Sequence, residues 1–94
     1  MSALSRTESR TLSTFAVVAE AQPGALERVV AVLGRGFPVP RRLTCVHHDR
    51  SGRMALNVVF IDLDPVRAEL LAARLRGLVG VEKVFVATSE DGAA

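Results

Sequence analysis

The stretch that most constrains the fold is residues 14–37, T-F-A-V-V-A-E-A-Q-P-G-A-L-E-R-V-V-A-V-L-G-R-G-F. Residues 14–19 form an apolar run with the length and composition of a strand, and the Pro23-Gly24 pair then breaks the chain. Beyond the break, Leu26, Val29, Val30, Leu33 and Phe37 recur at helical spacing, which predicts one apolar stripe, with Glu27, Arg28 and Arg35 pointing elsewhere. Pro23 suits the first helical turn, where its missing N–H is no loss. A strand followed by such a helix needs a sheet on which the stripe can lie.

The same syntax returns from Phe60 as F-I-D-L-D-P-V-R-A-E-L-L-A-A-R-L-R-G-L-V-G-V. Asp64 reads as an N-cap with Pro65 in the first turn, Ala68, Leu71, Ala72, Leu75 and Leu78 as the buried stripe, and Arg67, Arg74 and Arg76 as the wet side. Between the two units, Gly34 and Gly36 stop the first helix, and Pro38 and Pro40 impose an extended path. Residues 42–48 then read as a short polar strand. Leu43, Cys45 and His47 share one face and Arg42, Thr44, Val46 and His48 the other, as befits a sheet edge. A polar turn at 49–53 leads into 54–61, the most apolar strand and hence a central one, and 81–87 supplies the last. The order β-α-β-β-α-β with right-handed crossovers predicts a ferredoxin-like α+β fold: a four-stranded antiparallel sheet, order 4-1-3-2, with two helices on one face. Residues 1–13 read as a disordered lead-in, 14–87 as the domain and 88–94 as a flexible tail.

A chain of 94 residues with 49% hydrophobic content holds one small domain and enough apolar side chains for a core without cross-links. Its apolar runs fall well short of the roughly 20 residues that span a bilayer, and residues 1–13 lack a signal-type apolar core, so the expected location is the cytoplasm, away from membranes. The single Cys45 has no internal disulfide partner. A net charge of +2, from 12 basic against 10 acidic residues, is too slight to specify a nucleic-acid partner.

Chemistry-bearing patterns are few. Cys45 and His47 share a strand face at a spacing that suits two metal ligands, but no third ligand lies near in sequence, and a buried thiol beside polar edge residues is the plainer reading. There is no nucleophile elbow and no glycine-rich phosphate loop, which predicts a non-enzymatic domain without a cofactor. An RNA-binding use of this fold needs stacking aromatics on the third strand, which reads M-A-L-N-V-V-F-I in a chain with no Tyr or Trp. At the start of the first helix Gln22 is a poor cap, leaving the amides of Gly24, Ala25 and Leu26 open to water or to a bound carboxylate. The first and third strands are apolar on both faces, so self-association is expected, either by packing of sheet faces or by pairing of the second strand, Leu43, Thr44, Cys45, Val46 and His47, with its own copy.

At residues 19–37, A-E-A-Q-P-G-A-L-E-R-V-V-A-V-L-G-R-G-F, the chain resembles the ACT domain, and in particular the single-domain small (regulatory) subunit of acetohydroxyacid synthase, also called acetolactate synthase. The likeness extends over residues 14–86. It implies dimerisation side by side through the second strand and an amino acid held at the interface. One subunit would contribute Ala21, Gln22, Pro23, Gly24, Ala25 and Leu26, and the other Pro38, Val39 and Pro40. Valine-sensing relatives carry Asn or Asp where this chain has Ala21, and a second Asn near Pro38. Without those side chains the resemblance implies docking on, and activation of, a thiamine-diphosphate-dependent catalytic subunit of branched-chain amino-acid biosynthesis more than feedback by valine. A stand-alone amino-acid-sensing dimer is the alternative, and an RNA-binding module a third.

Overall fold

A computed structural model describes residues 10–91 of the protein. The elements are β1 (Arg10–Glu20), α1 (Ala25–Leu33), β2 (Arg42–His48), β3 (Arg53–Ile61), α2 (Pro65–Arg76) and β4 (Val81–Asp91). The four strands form one antiparallel sheet in the order β2-β3-β1-β4. This is the ferredoxin-like β-α-β-β-α-β arrangement that the two repeated units predict.

Sheet register decides which side chains meet the helices. Phe15 lies opposite Val58 on one side and Val86 on the other, and Val17 opposite Leu56 and Val84. Directly opposed residues share a face. Phe15, Val17, Ala19, Met54, Leu56, Val58 and Phe60 are buried there, in one cluster with Val29, Val32 and Leu33 of α1 and Leu71, Ala72 and Leu75 of α2. Both helices therefore cover the same side of the sheet. The rings of Phe15 and Phe60 meet edge to face at 5.7 Å, a favoured aromatic geometry.

The α1 stripe is rotated from the one predicted. Ala25, Val29, Val32 and Leu33 are buried, whereas Leu26 and Val30 are 40% and 44% exposed on the flank of the helix. Val, Leu and Ala surround most of α1, so spacing alone admits more than one phase for the stripe. Phe37 does pack against the core, half-buried. Arg67 and Arg74 are not simply wet: their guanidinium groups lie 4.6 and 5.7 Å from the centre of the Phe37 ring, and Arg67 Nη2 donates to the Gly36 carbonyl. Cation–π contact and the hydrogen bond together tie the R-G-F segment to α2.

Two strands run past the ends assigned from the sequence. β1 begins at Arg10, and β4 continues through Thr88 to Asp91, so residues 10–13 belong to the sheet instead of a lead-in, and 88–91 to β4 instead of a tail. Each extension supports the other, since Arg10 to Ser13 pair with Asp91 to Thr88. Asp62, in the left-handed region at φ 56°, anchors the same end: its N–H donates to the Thr11 carbonyl at 2.7 Å, and its Oδ1 accepts the Thr11 N–H at 3.0 Å. The expected disorder of residues 1–9 and flexibility of 92–94 lie outside the described residues.

Helix α2 starts as its sequence dictates. Asp64 Oδ1 accepts the Val66 N–H at 3.0 Å, with Pro65 in the first turn. Removing this cap by Asp64→Ala should cost about 1 kcal/mol, read as a lower urea midpoint with an unchanged slope. A loss under a few tenths of a kcal/mol would mean that the hydrogen bond contributes nothing net.

Candidate functional site

The start of α1 is built differently. Gly24 is its N-cap, at φ 85°, and no side chain caps the helix. A left-handed N-cap is open to glycine and costs other residues about 1–2 kcal/mol. Pro23 lies in the turn before the helix and not within its first turn, and the Ala25 N–H donates to the Gln22 carbonyl at 3.0 Å. Of the amides expected to be open, that of Ala25 is therefore occupied, and its side chain is buried in the core. The remaining donors of the turn gain no side-chain acceptor.

This turn borders an open depression of about 470 Å³. Ala21, Gln22, Pro23, Gly24, Leu26 and Glu27 form one wall, and Cys45, His47 and Met54 from β2 and β3 form the other. Five of the six loop positions named from the resemblance thus line it. The β2 side chains were read as an interface and not as part of this wall. Their contribution follows from register, because Cys45 lies opposite Leu56, and His47 opposite Met54, which puts both on the helix side of the sheet. No local motif marks such a contact, which forms across strands.

Pro38, Val39 and Pro40 are elsewhere in the same chain. They precede the Arg42 end of β2, where Arg42 pairs with Val59, whereas the depression adjoins the His48 end, where His48 pairs with Arg53. Val39 is 89% exposed.

Charges of both signs surround the turn. The Arg28 guanidinium folds back against Gly24, so that a Cβ there would stand 3.2 Å from Arg28 Nη1, and Arg28 Nε is buried without a hydrogen-bond partner. A cation beside a helix N-terminus opposes the helix dipole, an arrangement that an anion would relieve. Glu27 lines the depression, Gln22 Nε2 donates to Glu20 Oε1 at 3.1 Å, and His47 Nδ1 lies 3.4 Å from Asp49. Across the end of the sheet, the hydrogen bond and charge of Glu82 raise the Arg53 pKa and hold the guanidinium in its charged form.

The flank of the molecule beside β2 is apolar and uncovered. Leu43 is 41% exposed, and Cys45 is an exposed free thiol, not the buried one expected. Leu26 shares the depression with Cys45 and His47, and Val30 follows one turn along α1. Leu26, Val30, Leu43 and Cys45 therefore edge the same side of the domain. Among the described residues, no group of three His, Cys, Asp or Glu side chains could hold a metal ion, and no helix is long and apolar enough to cross a membrane. Larger grooves of about 670 Å³, lined by Val32, Arg35, Arg74, Gly77 and Leu78, and about 590 Å³, between α2 and β4, lie away from the uncapped turn.

A family model described as an ACT-like domain matches residues 5–92. No curated protein matches the chain. Among solved structures, the crystal structure of the ACT domain from GTP pyrophosphokinase of Chlorobium tepidum superposes with a TM-score of 0.72 at 20% identity, covering 81% of this chain and 96% of that one. The solution structure of the same domain gives 0.71 at 19% identity, covering 83% and 86%. An uncharacterized protein from Thermotoga maritima gives 0.67 at 16% identity, covering 86% and 96%.

Proposed function

Because the chain belongs to the ACT-like domain family, we propose that it is a non-catalytic regulatory module, a homodimer paired through β2 that takes a free amino acid beside the start of α1. The observation that carries the reading is the uncapped left-handed turn at Gly24, set in a depression whose other wall is the unpaired edge strand. A carboxylate suits the free donors of the turn and the Arg28 guanidinium, while Glu27 and Gln22 offer acceptors to an ammonium group.

Pairing of β2 with a second copy explains why this wall is unfinished. Antiparallel pairing about the middle of β2 sets the Arg42 end of one copy beside the His48 end of the other. The 38–40 segment of a second copy then approaches the depression, which its own chain cannot supply. The same pairing covers the apolar flank of Leu26, Val30 and Leu43, which is costly to leave wet.

The ACT domains among the similar structures come from GTP pyrophosphokinase, so a domain of this shape is found with an enzyme. For this chain, the P-G-A-L-E-R-V segment favours a thiamine-diphosphate-dependent synthase subunit as the enzyme served. Amino-acid binding would report supply to that partner.

Leu43→Arg tests the pairing. The substitution places a like charge near the two-fold axis of the paired edge without touching the buried core. Sedimentation velocity at about 50 μM should show that the variant loses the β2 contact and sediments at half the mass of the parent or less, a loss of at least tenfold in association. A parent chain that sediments as a monomer, or a variant with unchanged assembly, would overturn the β2 dimer.

A further inference from the structure

The sheet face turned away from the helices is uncovered and nearly uncharged across its middle. Register places Leu12, Thr14, Ala16 and Val18 of β1 on it with Ile61, Val59, Asn57 and Ala55 of β3. Thr44 and Val46 of β2 and Phe85 and Ala87 of β4 extend the same rows to the sheet edges. Phe85 is 59% exposed and Val46 52%, with no described element over them. A one-sided sheet facing water alternates apolar and polar residues. Here that polar face is missing. Among the described residues, register places charged positions of this face towards its margins, Arg10, Glu20, Arg42, Arg53 and Lys83 among them.

Its size indicates what covers it. With strands about 4.8 Å apart and about 3.3 Å per residue, seven residues on each of four strands give a footprint of roughly 400 Å². Stable interfaces take about 800 Å² from each partner. Pairing through β2 joins two such faces edge to edge on the same side of one eight-stranded sheet, which doubles the footprint to roughly that value. The joined face also has two-fold symmetry. A second paired dimer matches it in both size and symmetry and closes the assembly.

We infer that two β2-paired dimers stack through these open faces into a tetramer; the inference rests on the β2 pairing proposed above. Sheets packed in this way lie about 10 Å apart, with side chains interleaved. The small Ala16 and Ala55 in the middle leave room for a large side chain such as Phe85 from the facing sheet. Asn57, whose amide both donates and accepts, sits where it can bond a polar group opposite.

Sedimentation velocity of the full chain, compared with Phe85→Glu and Leu43→Arg, tests the stack. The expected result is a tetramer for the parent, a folded dimer with an unchanged far-UV circular-dichroism spectrum for Phe85→Glu, and loss of the tetramer in Leu43→Arg. The Phe85→Glu change should weaken dimer–dimer association by a hundredfold or more, because it buries unpaired carboxylates at the interface. A parent that stays dimeric at hundreds of micromolar, or a Phe85→Glu variant that stays tetrameric, overturns the stack. If the parent is a dimer that Leu43→Arg alone dissociates, the β2 pairing stands and the stack falls. If the parent is a dimer that Phe85→Glu alone dissociates, the open face pairs without the edge and both readings fall.

Discussion

Phe60→Ala should lower the unfolding free energy by about 3–5 kcal/mol. Phe60 is fully buried on a central strand, and its ring meets Phe15 at 89°. Truncation removes that contact and leaves a cavity bounded by a sheet on one side, which cannot collapse as a loop can. A domain of 94 residues has roughly 5–14 kcal/mol to lose, so the variant retains between almost none and about four-fifths of its stability. Urea denaturation followed by circular dichroism should show the midpoint falling by about 2–3 M at an unchanged slope. Phe85→Ala serves as the control at low protein concentration, where the exposed ring should contribute under about 0.5 kcal/mol to the isolated fold. Equal losses at the two positions would mean that the core does not lie on the helix side.

An amino acid that fits the Gly24 depression should raise the melting temperature by about 10 °C or more. Ligand at a hundred times its Kd adds about 2.7 kcal/mol to the native state, and a domain of this size shifts by about 4–8 °C per kcal/mol. The informative experiment is a thermal-shift panel of the twenty amino acids, run on the parent and on Gly24→Val. At φ 85° a β-branched side chain is strained, and its Cβ meets Arg28 Nη1, so the variant loses about 1–2 kcal/mol of its own. Its response to ligand should vanish as well, because the turn can no longer present its donors in the same direction. A flat panel for the parent contradicts the sensing role. A responsive parent whose Gly24→Val variant responds equally well would move the binding site away from α1.

The elements best foretold are those whose local chemistry agrees with their packing. Asp64-Pro65 starts α2 as written, and Arg42–His48 forms the edge strand because its polar residues suit partial exposure. The phase of α1 was less legible: Leu26 and Val30 satisfy helical spacing as well as Ala25 and Val32 do, and only the sheet beneath selects among them. The end of β4 gave still less warning. Ser89, Glu90 and Asp91 have little strand propensity and are ordered by pairing with Arg10 to Leu12, a contact across most of the chain. For the candidate site, the P-G turn announced the helix start, but the meeting of Cys45 and His47 with Gly24 depends on register between distant strands.

The pairing of Arg10 with Asp91 has a topological consequence for how this unit can be joined to other chains. Residues opposed in an antiparallel ladder have Cα atoms about 4.5–5.5 Å apart, so the described backbone enters and leaves at nearly one point. A linker of a few residues would bridge that gap in a circular permutant. A loop in an unrelated host could also carry the unit as an insert, since the two cut ends of the host would be held hardly farther apart than neighbouring residues of one strand.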